Sequence, residues 1–84
     1  MQKIGRITHY FDKISVAVLL VEDGQVKLGD QIQVGEDTME GTFSQTVESM
    51  QVDHQPVEMA KSGDEVGLKL TNPTKPNTPV FLVE

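Results

Sequence analysis

Ala60-Lys61-Ser62-Gly63-Asp64-Glu65-Val66-Gly67-Leu68 sets a tight turn directly against the start of an alternating strand. Glycine takes positive φ at no steric cost and aspartate can bond the backbone two residues on, so Ser62-Gly63-Asp64 reads as a turn. Val66, Leu68 and Leu70 then fall on one face, with Gly67 and Lys69 on the other. Gly67 carries no side chain, which leaves room for a neighbouring backbone or a bound group. The same arrangement occurs upstream in Val26-Lys27-Leu28-Gly29-Asp30-Gln31-Ile32, where Gly29-Asp30 stands between an apolar approach and the first branched residue of a strand. Two turns of one type predict an all-β fold built of short strands.

Period-two alternation runs through most of the remaining chain. Ile14, Val16, Val18 and Leu20 are expected to face the core, although Leu19 and Val21 make the opposite face apolar near its end. Ile4 and Ile7 are separated by an odd interval, which predicts a bulge or bend near Gly5-Arg6. Glu22-Asp23-Gly24-Gln25 reads as a hairpin turn. Gln31 to Val34 reads as a strand, followed by an acidic, glycine-bounded loop from Gly35 to Gly41. Thr42 to Val52 is the longest strand candidate, with a bulge or sharp bend at Ser49 where its apolar phase switches. Val57, Met59 and Ala60 supply a short strand or turn ahead of Ser62. Residues 72–79 hold Pro73, Pro76 and Pro79, which lack amide donors, so this stretch is an extended loop before a final strand over Val80 to Val83. With no helical segment, the pattern predicts a small closed antiparallel β-barrel of about six or seven strands, one domain over residues 1–84.

The chain has 84 residues, a single core's worth, and no cysteine, so packing alone must hold it. Met1 to Tyr10 has no apolar run of signal-peptide length, and Val16 to Val21 is far shorter than a bilayer span of roughly 20 residues. The expectation is a cytoplasmic chain off the membrane. The net charge of −6 is uneven: residues 1–21 carry Lys3, Arg6 and Lys13 against Asp12, whereas the rest carries most of the acids. Phosphate binding needs a basic face, so an acidic chain starts as a poor candidate for nucleic acid, with a local basic strip on the first strand as the exception.

That strip is Arg6, His9, Tyr10, Phe11 and Lys13, which joins positive charge to two aromatic rings, the ingredients of phosphate contact and base stacking. The competing reading is that Tyr10 and Phe11 pin the first hairpin to the core. Glu36, Asp37 and Glu40 could meet a basic partner, or form an ordinary solvated loop. A zinc site would need His9 and His54 to converge with Asp53 or Glu58, and two separate exposed histidines are the simpler reading. Ser44, His54 and Asp53 make a catalytic triad only on paper, because neighbours on a strand point to opposite faces. The sequence therefore predicts a non-catalytic chain without metal or cofactor.

Gly5-Arg6-Ile7, Val26 to Asp30, Val47-Glu48-Ser49-Met50 and Ala60 to Leu68 occur in an order that resembles domain 2 of translational GTPases over nearly the whole chain. With Thr8 to Ile14 and Val47 to Val52, the chain looks still more like small free-standing translation-factor-like proteins. In the full-length factors this domain packs on the GTPase domain and contacts ribosomal RNA or the aminoacylated end of transfer RNA. The resemblance thus implies a binding module that docks on a protein or ribonucleoprotein partner, with Gly29, Asp30, Gly63, Asp64 and Gly67 as structural turn and strand positions. No Gly-x-x-x-x-Gly-Lys-Ser/Thr loop is present, so no nucleotide is expected. Loop 72–79 departs from the charged, glycine-bearing loop of that family. The alternative is an accessory domain working in trans, since similar small barrels look like those appended to some peptidases and RNA-modifying enzymes.

Overall fold

The computed structural model describes residues 1–83. They form β1 (Gln2–Phe11), β2 (Val16–Val21), β3 (Gln25–Lys27), β4 (Gln31–Val34), β5 (Phe43–Thr46), β6 (Met50–Val52), β7 (Gln55–Pro56), β8 (Met59–Lys61), β9 (Glu65–Lys69) and β10 (Pro79–Val83). Eight strands make one antiparallel sheet in the order β5-β4-β10-β1-β2-β9-β6-β7, and β3 pairs with β8 in a separate ribbon. The sheet curls strongly around one core that includes Ile4, Ile7, Leu19, Ile32, Val66 and Val80.

The sheet is an open half-barrel, not the closed barrel of six or seven strands that the pattern predicts. The cause lies in the stretch expected as one strand from Thr42 to Val52. The Val47 amide donates to the Asp30 carbonyl at 2.8 Å, and the Val47 carbonyl accepts from the Gly29 amide at 2.9 Å. These bonds keep Val47 on the β4 side, after which the chain leaves it and starts again as β6 beside β9. The strand that would join the two ends of the sheet is divided between them.

β1 slips register between Lys3 and Gly5 against β10, and between Ile7 and His9 against β2. The extra residue at Ile4 lets Ile4 and Ile7 both point inward despite their odd spacing, and the one at Thr8 does the same for Ile7 and Tyr10. In β2 the buried residues are Ala17, Leu19 and Val21, the reverse of the expected phase; Val16, Val18 and Leu20 lie half-buried on the outer face. The turn over residues 12–15 sets this. Ser15 sits at φ 56, Ile14 is left 59% exposed in the turn, and Ala17 lands opposite the inward Tyr10. With a side-chain period of two, the rest of β2 must follow.

Glu22-Asp23-Gly24 is not a hairpin turn, because β3 pairs with β8 rather than with β2. The Glu22 and Asp23 amides both donate to the Ile4 carbonyl, at 2.7 and 3.1 Å, and this redirects the chain into the ribbon. Each ribbon strand then leads into a Gly-Asp turn. Gly29 and Gly63 have φ 91 and 95, and the Asp30 and Asp64 carboxylates accept from the Lys27 and Lys61 amides at 2.9 and 3.0 Å. Both carboxylates thus reach three residues back, not two residues on. The β3-turn-β4 and β8-turn-β9 units are local copies of each other, joined where Val26 pairs with Ala60.

Asp53 and His54 form the turn of the β6–β7 hairpin, at φ 51 and 65, with Val52 paired to Gln55. They are therefore not successive residues of a strand. Two positive φ values in a two-residue loop follow the right-handed strand twist, and aspartate tolerates this conformation better than most side chains.

Gly5 and Gly67 make opposite demands on their surroundings. A Cβ on Gly5 would run into the Leu20 carbonyl oxygen, whereas one on Gly67 would sit 3.6 Å from Val16 Cγ1 and 3.8 Å from the Gln51 carbonyl, in ordinary contact. Gly5→Ala is therefore expected to lose about 3 kcal/mol or more. Gly67→Ala should change stability by less than about 0.5 kcal/mol. Urea unfolding of both variants checks this; equal midpoints would show that β1 and β2 do not approach as described.

Candidate interaction surface

The β1–β2 register sorts the five residues of the N-terminal strip. Tyr10 faces Ala17 and packs against the core. His9 and Phe11 point the other way, their rings stacked with centroids 6.2 Å apart and 22° between planes. Beside them across the strand pair lie Val18 and Val16, and beyond Val18 lies Gly67. Phe11 is 49% exposed. Arg6, opposite Leu20 on this face, holds the Glu22 carboxylate at 2.6 Å, and Lys13 sits in the exposed turn. The face presents stacked rings next to branched aliphatics, with its arginine already paired to a carboxylate.

Two clefts lie elsewhere. One, of 280 Å³, separates the acidic loop from the proline-containing loop and is lined by Val34, Met39, Thr42, Pro73, Lys75 and Thr78, among others. Side chains around it are engaged internally: Gln33 Nε2 donates to the Gly35 carbonyl and to Asp37 Oδ1, Thr42 Oγ1 to the Glu36 carbonyl, and Thr78 Oγ1 to the Lys75 carbonyl. These bonds knit the acidic loop to the sheet.

The second cleft, of 530 Å³, lies where β5 approaches the end of β9, and is lined by Gln45, Thr46, Glu48, Ser49, Lys69, Leu70 and Thr71. Gln45 Nε2 donates to the Lys69 carbonyl at 2.9 Å, and Gln45 Oε1 accepts from the Thr71 amide at 2.8 Å. Sequence reasoning gave Gln45 no role, because a glutamine in a short strand carries no periodic signal.

Among the described residues no group of three or more His, Cys, Asp and Glu side chains is placed to hold a metal ion. Ser44 lies on β5 and the Asp53-His54 turn adjoins β7, the two opposite edges of the sheet order. Among the same residues no helix is long and apolar enough to cross a membrane.

No protein-family model matches the chain. It is 38% identical over 84 residues to an uncharacterized protease of Methanocaldococcus jannaschii, covering 98% of this chain and 20% of that protein. A collagenase of Porphyromonas gingivalis is 27% identical over 78 residues, covering 93% of this chain and 21% of that protein. The fold is that of the C-terminal domain of a Geobacillus thermoleovorans protein classed as a U32 peptidase, with TM-score 0.87 at 16% identity over 99% of this chain and 93% of that domain. A selenomethionine variant of that domain gives TM-score 0.86 at 17% identity, over 96% and 99% respectively. The chain spans about a fifth of the length of the curated relatives it matches.

These matches overturn the resemblance to domain 2 of translational GTPases: they lead to the C-terminal domain of a U32 peptidase instead. The motifs behind that resemblance describe turn chemistry. A Gly-Asp turn that exits a ribbon strand serves any small curled sheet with this geometry, so its recurrence does not single out one family.

Tyr10 and Phe11 are adjacent aromatics with opposite surroundings. Tyr10→Ala is expected to lower stability by about 2 kcal/mol or more, through lost packing. Phe11→Ala should lower it by less than about 1 kcal/mol. Thermal unfolding of the two variants reads the difference; the reverse order would invert the face assigned to the end of β1.

Proposed function

We propose that this chain is a non-catalytic accessory domain that acts in trans with a peptidase of the U32 type, docking through the outer face of β1 and β2. The observation that carries the reading is the whole-chain match in fold to a peptidase C-terminal domain. In this reading the reacting groups belong to the partner. The chain supplies a surface, and Phe11, Val16 and Val18, with His9 and Gly67 beside them, give that surface an apolar centre. Arg6 and Lys13 lie around this centre as polar neighbours, in the usual pattern of a protein interface. The partner is a protein, and neither a cofactor nor a nucleotide takes part.

The test is reconstitution. A U32 peptidase lacking its own C-terminal domain is assayed on casein with and without this chain, and complex formation is followed by copurification after ribonuclease treatment. The reading expects a several-fold change in hydrolysis and a complex that survives ribonuclease. A Phe11→Glu, Val18→Glu variant that remains folded should lose both. Unaltered hydrolysis at saturating chain, with no complex, would contradict the proposal.

A further inference from the structure

Gln45 does with its side chain what a strand does with its backbone. Its carboxamide donates to the Lys69 carbonyl and accepts from the Thr71 amide, the two groups that flank Leu70. In a parallel ladder, one residue of the neighbouring strand makes this pair of bonds to positions i−1 and i+1. Thr71 Oγ1 also reaches Gln45 Oε1, at 3.3 Å. The carboxamide therefore stands in for a peptide unit of a strand that the described residues do not supply.

Both walls of this seam carry backbone groups with the required direction. The Leu70 amide donates to the Ser15 carbonyl on the β2 side, so by alternation Lys69 and Thr71 face the seam. On the other wall the Val47 amide and carbonyl both bond toward residues 29 and 30. Alternation then turns Phe43 and Gln45 toward β4, and turns the amides and carbonyls of Ser44 and Thr46 outward into the seam. The Gln45 side chain reaches at most about 5 Å, so with a hydrogen bond of about 3 Å the Lys69 carbonyl lies within roughly 8 Å of the Gln45 Cα. Two strand spacings are about 9.6 Å, so the walls must part for one strand to enter once the carboxamide is displaced. The directions also agree. β5 and β9 are separated by five antiparallel pairings and run oppositely, so a strand parallel to β9 is antiparallel to β5.

We propose that the seam between β5 and Lys69–Thr71 binds an extended polypeptide, parallel to β9 and antiparallel to β5, which displaces the Gln45 carboxamide and completes the sheet. The occupant is the polypeptide substrate of the partner peptidase, held by its backbone and hence with little regard to sequence. That assignment of the occupant rests on the accessory reading above; the seam's capacity to take a strand rests on its hydrogen-bond geometry alone.

The experiment uses the chain labelled with nitrogen-15 and a short synthetic peptide of alternating threonine and valine, flanked by lysines. Saturable shifts are expected at the Ser44, Thr46 and Thr71 amides and at the Gln45 side-chain amide. A peptide N-methylated at alternate residues on its bonding edge should bind at least tenfold more weakly. Ser44→Pro removes an outward amide, a change that an edge strand tolerates, and should weaken binding comparably. Gln45→Ala clears the seam and should bind the peptide at least as tightly as the unaltered chain. Absence of shifts at millimolar peptide, shifts confined to His9 and Phe11, or equal binding of the N-methylated peptide would overturn the seam. In the reconstituted assay the Ser44→Pro chain should raise KM for casein several-fold. An unchanged KM for casein would overturn the substrate assignment. The titration contains no peptidase, so a failure of the accessory reading is seen separately from a failure of the seam.

Discussion

The position of β10 between β1 and β4 is the constraint on which the rest of the molecule depends. Pro79–Val83 pairs with β1 on one side and with β4 on the other, so the last strand joins the β4-β5 unit to the β1-β2-β9-β6-β7 unit. Val80 is fully buried between them. The Pro79 carbonyl accepts from the Gly35 amide at 2.8 Å, which ties the start of the strand to the acidic loop. Proline at the first position of a central strand is tolerated because the ladder needs few donors there. Pairing the first strand with the last is a contact of high sequence separation, and the loop entropy it removes must be recovered from the core that β10 completes.

β9 and its inward residues were legible because a turn signal sits directly against clean alternation, and Val66, Leu68 and Leu70 are buried. The phase of β2 was not legible. Its two faces are nearly equally apolar, so the choice fell to the turn before it and to the bulges in β1, neither of which alternation encodes. The break between β5 and β6 was legible as a bend near Ser49, but its consequence was not. Whether a bent segment closes a barrel or divides between two edges depends on which strands its halves pair with, here β4 and β9. The central place of β10 was hidden for a similar reason, since a short terminal strand after a proline-containing loop reads the same at an edge or in the middle.

The candidate surface divides along the same line. Composition picked out residues from Arg6 to Lys13, but the sheet turns Tyr10 inward and pairs Arg6 with Glu22. What remains outward is an apolar strip over β1 and β2, well suited to a protein partner. Gln45 had no sequence signature, because its meaning arises only from a seam left by an unclosed sheet. Function in this account follows from incompleteness: among the described residues β5 is an open edge of the sheet and the outer face of β1 and β2 is uncovered.

Amide hydrogen exchange along β5 tests the open edge most directly. If the sheet ends there, Phe43, Gln45 and Val47 should exchange slowly while Ser44 and Thr46 exchange rapidly, an alternation that a one-sided ladder imposes. Uniform slow exchange from Phe43 to Val47 would mean that both sides of β5 are bonded within the chain, and would contradict the open half-barrel.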